Sequence, residues 1–332
     1  MITPAVALLA TLAVQAAPDS AGATLYRAWC ASCHGADGRG QAARQTQLSV
    51  RPADLTECQT STAETEERWL GIVREGGAAF GLSLDMPAFR YGATPEQLRA
   101  VVRYIRSLCG ERGWPPGELN FPRAFLAEKA YPENEVVTSL HGSEQEYIYE
   151  RRLGRRAQLE ASARTVLDSL DRPFDGVTGA LKYNVWYSTV RRALVTVGVE
   201  GTPPLGRQEA WEIEPFIAAG ANPIPRLFVQ AEVVGAWEDG EGVSGFSYSV
   251  GVGREVGRFT PMLEVGGTVP RAGEATVSLV PQVRVQLSRL GHVAGSLGVE
   301  LPARVPPSEP RHPRLTAFLL WDYGDGGLFR GW

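Results

Sequence analysis

The sequence predicts a protein of two domains, an all-α domain followed by an all-β domain. Its 332 residues exceed the usual length of a single domain, so two domains are expected. Apolar residues recur at helical spacing from Ser20 to Cys109. After about Ser143 they alternate with polar residues at a period of two, in about eleven segments separated by turn-forming clusters such as "EDGEG" and "PRAG".

The N-terminus has the pattern of an export signal. An apolar run from Ala5 to Val14 leads to Val14-Gln15-Ala16, a small-x-small cleavage pattern that predicts removal of residues 1–16. No Lys or Arg precedes the run, and a buried first helix is the alternative. Export would place the protein in an oxidising compartment, in which paired cysteines are commonly disulfides.

Three segments predict the helices of the first domain, residues 17–112. "TPEQLRAVVRYIRSLCG" carries Thr94 as a cap, Pro95 in the first helical position and Gln97 to complete a capping box. "DSAGATLYRAWCASC" and "TAETEERWLGIVREGG" also have apolar residues at helical spacing. Residues 113–142 contain five prolines and little periodicity, so we interpret them as a linker.

A C-x-x-C-H motif is formed by Cys30, Cys33 and His34 in "CASCH". This is the attachment signature of c-type haem, in which two thiols add to the vinyl groups and the histidine becomes an axial iron ligand. One motif predicts one covalent haem c. Zinc would need two further ligands at similar spacing, and a thioredoxin-like CxxC would need a βαβ context, which the sequence lacks.

Met86 is the candidate for the second axial ligand. It lies in "LSLDMPAFRYG", between two predicted helices, whereas Met1 is expected to be removed and Met262 belongs to the β half. A thioether is a soft ligand suited to haem iron. The alternative is a methionine of the hydrophobic core. We predict that His34 and Met86 together hold the iron.

Residues 20–110 resemble a class I cytochrome c domain. The resemblance rests on "CASCHGADGRG" and "DMPAF", and on Gly22, Tyr26 and Tyr104, which match the contact between the family's first and last helices. It implies an all-α cytochrome c fold with electron-transfer activity and His/Met ligation.

The same resemblance implies two further residues at the haem. Pro52 in "VRPADL" is expected on the proximal side, where its carbonyl would accept a hydrogen bond from the ring nitrogen of His34 that does not bind iron. Trp69 is expected to pack near the haem.

Cys58 and Cys109 remain as a second pair of cysteines. In an exported domain the 50 residues between them favour a disulfide, which would stabilise the domain by roughly 3 to 4 kcal/mol. Two buried free thiols are the alternative.

The β half, residues 143–332, admits two folds. In "TVSLVPQVRVQLSRL" the apolar residues face one way and Ser, Gln and Arg the other, as in a soluble sandwich or an outer-membrane β-barrel. Long segments and aromatic residues near segment ends favour an antiparallel barrel of about 10–12 strands, whereas several prolines beside strands count against it. "RLTAFLLWDYGDGGLFRGW", which ends in Trp332, resembles the aromatic-terminated last strand of bacterial outer-membrane barrels.

The arginine cluster and the histidines outside the motif carry simpler expectations, and His141 and His312 are expected to be exposed, ordinary histidines of the linker or turns. Arg151, Arg152, Arg155 and Arg156 are expected at a solvated hairpin tip, with a lipid or partner contact as the alternative. His292 is expected to be an exposed histidine of a turn.

Together these features predict an electron carrier rather than an enzyme, with its cytochrome domain in the periplasm and its barrel in the outer membrane. The expected partners are periplasmic redox proteins and outer-membrane lipid. The net charge of −4 gives no reason to expect nucleic acid. Two other functions stay open. One is a small-solute channel with a redox domain, and the other is a soluble periplasmic cytochrome fused to a ligand-binding β domain.

Overall fold

The structure is a computed structural model that describes residues 20–42, 47–168, 173–306, 312–324 and 327–329. The predicted export signal and the terminal Trp332 lie outside the described residues. The described chain forms a helical domain followed by a closed β-barrel, as the sequence predicts. No helix in this part of the chain is long and apolar enough to cross a membrane.

The helical domain is built around the contact of its first and last helices. Its helices are α1 (Ser20–Trp29), α2 (Ala31–His34), α3 (Cys58–Ala63), α4 (Glu66–Glu75) and α5 (Pro95–Ser107), with a 3₁₀ helix at Gly77–Phe80. A Cβ atom on Gly22 would lie 2.3 Å from the carbonyl oxygen of Ala100, so α1 and α5 approach this closely only because Gly22 has no side chain. The Tyr26 and Tyr104 rings pack beside this contact, with centroids 5.1 Å apart. The predicted capping box at Thr94 is present.

The β domain is a closed antiparallel barrel of twelve strands in sequential order, in which β1 also pairs with β12. The strands are β1 (Glu135–His141), β2 (Glu144–Leu153), β3 (Ala157–Val166), β4 (Phe174–Ser188), β5 (Ala193–Thr202), β6 (Glu212–Ile224), β7 (Leu227–Glu238), β8 (Gly242–Arg254), β9 (Phe259–Pro270), β10 (Val277–Gln286), β11 (Val293–Arg304) and β12 (Arg314–Asp322). Because β1 begins at Glu135, the barrel starts within the segment that the sequence assigns to the linker. β1 closes the barrel by pairing with β12, a long-range contact that local periodicity does not reveal.

The two faces of the barrel have opposite polarity. Apolar side chains face outward and are half exposed, as at Ile217 (55%) and Leu297 (59%). Polar and charged side chains face the lumen and are buried, among them Gln158, Lys182, Gln230, Glu264 and Thr316. A soluble sandwich would bury its apolar face, so this arrangement excludes that alternative for the fold.

Residues 115–134, which we call the plug, fold into the lumen of the barrel. The Phe121 ring stacks on Phe228 of β7, with centroids 5.9 Å apart. The carboxylate of Glu264 on β9 accepts hydrogen bonds from the backbone N–H groups of Phe125 (2.6 Å), Leu126 (2.9 Å) and Ala127 (3.1 Å). Backbone donors that would otherwise be buried without a partner are thereby satisfied by the barrel wall.

Buried ion pairs also hold the plug. The Arg123 guanidinium lies 2.5 Å from Glu150 on β2 and 3.3 Å from Glu135 on β1. The Lys129 ammonium lies 2.7 Å from the same Glu135. Lys182 on β4 pairs with Glu128 of the plug. Charges on the plug and on the wall are therefore matched inside the lumen, where an unmatched charge is costly.

The helical domain contacts one end of the barrel. Arg155, in the β2–β3 turn, lies 3.3 Å from Glu111, and Arg156 donates to the carbonyl oxygen of Gly113 at 3.1 Å. Arg226, in the β6–β7 turn, lies 3.1 Å from Glu67 of α4. The turn is exposed at Gly154 and Arg155, as expected for a hairpin tip, but its arginines also contact the segment that leaves the helical domain.

The expectation of an exposed His292 is wrong. This side chain is fully buried at the same end of the barrel. Its Nδ1 atom lies 3.1 Å from the Ser288 hydroxyl, and its Nε2 atom lies 3.1 Å from the carbonyl oxygen of Gly327. The segment after β12 folds back over the turn and covers the ring, a contact that a turn-rich local sequence does not reveal.

We expect Arg123→Met to destabilise the protein by about 3 to 5 kcal/mol, because it leaves buried carboxylates short of a positive charge. The matched control is Arg191→Met, since Arg191 is exposed in the β4–β5 turn. The measurement is the temperature at which the β-sheet circular dichroism of the full-length protein is lost. Equal midpoints for the two variants would show that the plug is not held by these ion pairs.

Candidate functional site

The helical domain encloses a cavity of about 480 Å³. The residues predicted for the site all line it, and they are Cys30, Cys33, His34, Met86, Pro52 and Trp69. Residues separated by more than fifty positions in the sequence therefore meet in one space.

The first turn after α1 brings the two thiols and the imidazole together. The backbone N–H of His34 donates to the carbonyl oxygen of Cys30 at 2.8 Å, which closes one helical turn around the motif. Cys30 and Cys33 are not bonded to each other. Burial raises the pKa of the Cys30 thiol to about 11, so this sulfur is protonated at neutral pH. Both sulfurs are available for another covalent partner.

A backbone carbonyl sets the tautomer of His34. The Nδ1 atom lies 3.2 Å from the carbonyl oxygen of Ala53. A carbonyl only accepts hydrogen bonds, so Nδ1 carries the hydrogen and Nε2 keeps its lone pair for a metal. Burial lowers the pKa of His34, although the hydrogen bond to Ala53 opposes this, and the ring stays in the neutral form that binds metals.

The acceptor for His34 differs from the expected one by a single residue. The sequence predicts the carbonyl of Pro52, but that oxygen faces the backbone of Gly40, where a Cβ atom would lie 2.3 Å from it. Pro52 therefore lines the cavity without orienting the imidazole, and Ala53 takes that role. The acceptor differs because the Pro52 carbonyl packs against Gly40. Gly40 has a φ of 76° and no side chain, and this close approach needs a glycine.

Backbone hydrogen bonds fix the loop that carries Met86. The N–H of Gly77 donates to the carbonyl oxygen of Met86 at 3.1 Å, and the N–H of Phe89 donates to that of Val73 on α4 at 3.2 Å. A Cβ atom on Gly77 would lie 2.3 Å from the carbonyl oxygen of Ser83, so only glycine permits this packing. The thioether is thus held in the wall of the cavity by the end of α4.

Asp85, next to Met86, ties the same loop to residue Ser49. Its carboxylate accepts hydrogen bonds from the Ser49 hydroxyl at 2.9 Å and the Ser83 hydroxyl at 3.1 Å. These bonds hold the pKa of Asp85 below its usual range.

Trp69 and the second pair of cysteines join the remaining helices around the cavity. The indole Nε1–H of Trp69 on α4 donates to the carbonyl oxygen of Ser61 on α3 at 3.3 Å. The structure places Cys58 and Cys109 as a disulfide pair with Cα atoms 5.1 Å apart, which connects α3 to the chain after α5. The hydrogen bond therefore joins α3 to α4, and the disulfide joins α3 to the chain after α5.

The cavity suits a flat apolar group with an iron at its centre. Its other walls are mostly apolar, and they include Trp29, Leu48, Val50, Ile72, Leu82, Phe89 and Ile105. Two thiols, one imidazole nitrogen and one thioether are the donors that covalent haem c uses. No charged side chain supplies the ligands, and the donor set therefore fits haem better than a hydrated metal ion.

The barrel also contributes to this cavity, which the sequence did not indicate. Leu290 in the β10–β11 turn and Gly324 after β12 belong to its lining. A Cβ atom on the neighbouring Gly291 would lie 2.3 Å from a guanidinium nitrogen of Arg68 on α4, so the turn lies directly against the helical domain. Neither residue has a sequence signature, because turns carry no periodicity that predicts a distant contact.

Glu118, in the 3₁₀ helix at Gly117–Leu119, joins the plug to the helices around the cavity. One oxygen accepts from the N–H of Glu66 at the start of α4 at 2.8 Å, and the other accepts from Arg106 on α5 at 2.9 Å. Burial alone would raise the pKa of Glu118, but the Arg106 guanidinium outweighs it and the pKa is lowered. This carboxylate is therefore ionised at neutral pH and clamps both helices.

Comparison with known proteins assigns the helical domain. Residues 17–105 match the family model described as cytochrome c oxidase, cbb3-type, subunit III. No curated protein matches the chain.

The barrel is similar in outline to several solved structures at low sequence identity. A KdgM porin in complex with disordered oligogalacturonate is 9% identical, with a TM-score of 0.44, covering 57% of this chain and 98% of that chain. A NanC porin is 9% identical, with a TM-score of 0.43, covering 56% and 97%. An outer-membrane channel from Pseudomonas putida F1 is 11% identical, with a TM-score of 0.47, covering 60% and 99%. Residues 17–105 are thus a cytochrome c domain, and they are followed by a closed twelve-stranded antiparallel β-barrel.

Proposed function

We propose that this protein is an electron-transfer cytochrome that carries one covalent haem c and is anchored in the outer membrane by its barrel. The observation that carries the proposal is the meeting of Cys30, Cys33, His34 and Met86 in one apolar cavity. The experiment that tests it as a whole is outer-membrane fractionation, followed by haem-stained gels of boiled and unboiled samples.

Each residue of the site has a defined role in this proposal. The Cys30 and Cys33 sulfurs would attach the haem, and His34 Nε2 and Met86 Sδ would bind its iron. The bound haem supplies reversible one-electron oxidation and reduction. The Ala53 carbonyl orients the imidazole, and the apolar walls exclude water. Because His34 and Met86 would both ligate the iron, we propose a carrier rather than an enzyme.

Three features of the barrel support a membrane anchor. Its outward face is apolar around the closed sheet. Because the sheet is closed, no strand has an unpaired edge, and a bilayer requires that backbone N–H and C=O groups be paired. The connections at the helical end hold two to six residues, whereas three at the other end, 167–173, 203–211 and 305–313, hold seven or more. Outer-membrane barrels have short periplasmic turns and longer extracellular loops, so we place the cytochrome domain in the periplasm. This location fits the predicted export signal.

The plug favours an anchor over an open channel. Residues 115–134 fill the part of the lumen nearest the helical domain, and the cluster around Phe121 and Phe228 is buried. A solute would have to displace a segment that is held by ion pairs and backbone hydrogen bonds. Redox proteins of the periplasm are the partners that this arrangement suits, because they have access to the helical domain.

Covalent attachment predicts that a haem-stained band survives denaturing electrophoresis. We expect the double variant Cys30→Ala, Cys33→Ala to lose the band, because thioether bonds alone keep haem on the unfolded chain. The matched control is Cys58→Ser, Cys109→Ser, which should keep it. A stained band in the first variant would refute the attachment.

Axial ligation predicts a weak far-red absorption of the oxidised protein that arises from the sulfur–iron bond. We expect Met86→Ala to abolish this band and to let the reduced protein bind carbon monoxide, because one axial position becomes free. The control is Met262→Ala, since Met262 is buried in the barrel. An unchanged far-red band in Met86→Ala would mean that another residue binds the iron.

Membrane insertion predicts different outcomes for two arginine substitutions on β8. Val250 faces outward at mid-strand and is 48% exposed, whereas Ser247 lines the lumen. We expect Val250→Arg to cost about 2 to 4 kcal/mol in hydrocarbon and to reduce the folded protein in the outer-membrane fraction. Ser247→Arg faces water and should leave the yield unchanged. If the barrel domain is a stable monomer in buffer without detergent, the anchor is excluded.

A further inference from the structure

A turn of the barrel forms part of the wall of the cavity in the helical domain. The turn consists of residues 287–292, which connect β10 with β11. Its Leu290 belongs to the same lining as Cys30, His34 and Met86. A side chain of the β domain therefore borders the site that the helical domain builds.

Leu290 is buried, although it lies in a turn at the rim of the barrel. Its side chain is 4% exposed, whereas the outward-facing Leu297 on β11 is 59% exposed. The adjacent Arg289 is exposed to solvent. An apolar side chain in this rim turn is covered because the turn lies against the helical domain.

The backbone next to Leu290 has no room for a side chain. A Cβ atom on Gly291 would lie 2.3 Å from a guanidinium nitrogen of Arg68 on α4 and 2.1 Å from the side-chain nitrogen of Gln286. The φ of Gly291 is 76°, a conformation that favours glycine. Glycine is therefore what allows the turn to approach the helical domain so closely.

Hydrogen bonds hold the turn in one shape. The Ser288 hydroxyl accepts from the backbone N–H of Val293 at 3.0 Å and lies 3.1 Å from Nδ1 of His292. The N–H of Gly291 donates to the carbonyl oxygen of Ser288 at 3.1 Å, and the N–H of Asp322 donates to that of His292 at 2.7 Å. The turn is thus fixed by the barrel itself.

We propose that Leu290 shields the haem from water, so that the barrel helps to set the reduction potential of the cytochrome. This inference rests on the proposed function, because it requires a haem in the cavity. Solvent exposure and nearby polarity are among the factors that set the potential of a haem. Oxidised iron carries one more positive charge than reduced iron, and excluding water disfavours the more charged state. Leu290 therefore raises the potential.

The inference gives the barrel a part in the redox function as well as in anchoring. Ile72 and Phe89 also line the cavity, and both belong to the helical domain. Leu290 reaches the cavity only because that domain lies on the rim of the barrel. A substitution in a barrel turn can therefore change the potential without altering a ligand of the iron.

The test measures the reduction potential of the full-length haem protein in detergent, by a redox titration that is followed by haem absorption. We expect Leu290→Ala to lower the potential, because water gains access to the cavity. Leu290→Met keeps the volume of the side chain and should keep the potential. The matched control is Leu287→Ala, which should also keep it, since Leu287 is in the same turn but is 38% exposed and lies outside the cavity.

A pair of variants of equal size separates an electrostatic effect on the haem from a loss of packing. Leu290→Asn and Leu290→Asp remove the same contacts and differ by one negative charge at neutral pH. A negative charge near the iron favours the oxidised state, so Leu290→Asp should have the lower potential of the two. We expect the equilibrium constants of reduction to differ about tenfold, which corresponds to about 59 mV for one electron.

Haem staining after denaturing electrophoresis and the far-red absorption show whether each variant keeps its haem and both ligands. If Leu290→Ala does not assemble, the smaller truncation Leu290→Val takes its place and should lower the potential by less. The inference is overturned if these truncations leave the potential unchanged with both signals intact, or if Leu290→Asp and Leu290→Asn have equal potentials. Absence of both signals from the unmodified protein would instead refute the proposed function, and this inference with it.

Discussion

The rest of the structure depends on the matching of charges between the plug and the barrel wall. A closed barrel with an apolar exterior must place its polar side chains inside, and a lumen of this size leaves them poorly hydrated. Arg123 and Lys129 of the plug meet Glu150 and Glu135 of the wall, and Glu264 accepts from three plug amides. Because the plug follows the helical domain directly in the sequence, its position in the lumen also fixes where that domain lies. The position of the helical domain on the barrel rim therefore depends on lumen electrostatics as well as on the rim contacts of Arg155 and Arg226.

This position gives the haem cavity a wall from the other domain. Leu290 and Gly324 complete the lining that α2, α4 and the Met86 loop begin. Glu118 joins α4 and α5 to the segment that enters the barrel, so the same chain that fills the lumen also clamps the helices around the cavity. Solvent exposure and nearby polarity are among the factors that set the potential of a haem. In the proposed function both would depend on a turn of the barrel, because Leu290 belongs to the lining of the cavity.

Sequence reasoning succeeded where a short-range rule determines the structure. The C-x-x-C-H motif occupies a single helical turn, the Thr94 capping box is local, and the alternation of β8 or β10 directly gives the two faces of a strand. It failed where contacts are long-range. The bond from Phe125 to Glu264 joins residues 139 positions apart, and a proline-rich segment without periodicity offers no sign that it fills a lumen. The same limit explains His292, whose burial depends on the chain after β12, and the change of acceptor from Pro52 to Ala53, which depends on the approach of Gly40.

The plug divides the lumen into two regions of different chemistry. Its cationic side chains are paired with wall carboxylates, and on the side of the helical domain its apolar residues pack against Phe216 and Phe228. On the other side, the carboxylates of Glu146, Glu160 and Glu200 line an open cavity that has few positive charges. If the plug paired with every charge of the wall, this end would be neutral. The plug supplies positive charges only at the level of the lumen that it occupies. Part of this end also holds the plug, because the carboxylate of Glu232 accepts a hydrogen bond from the backbone N–H of Glu128 at 3.0 Å.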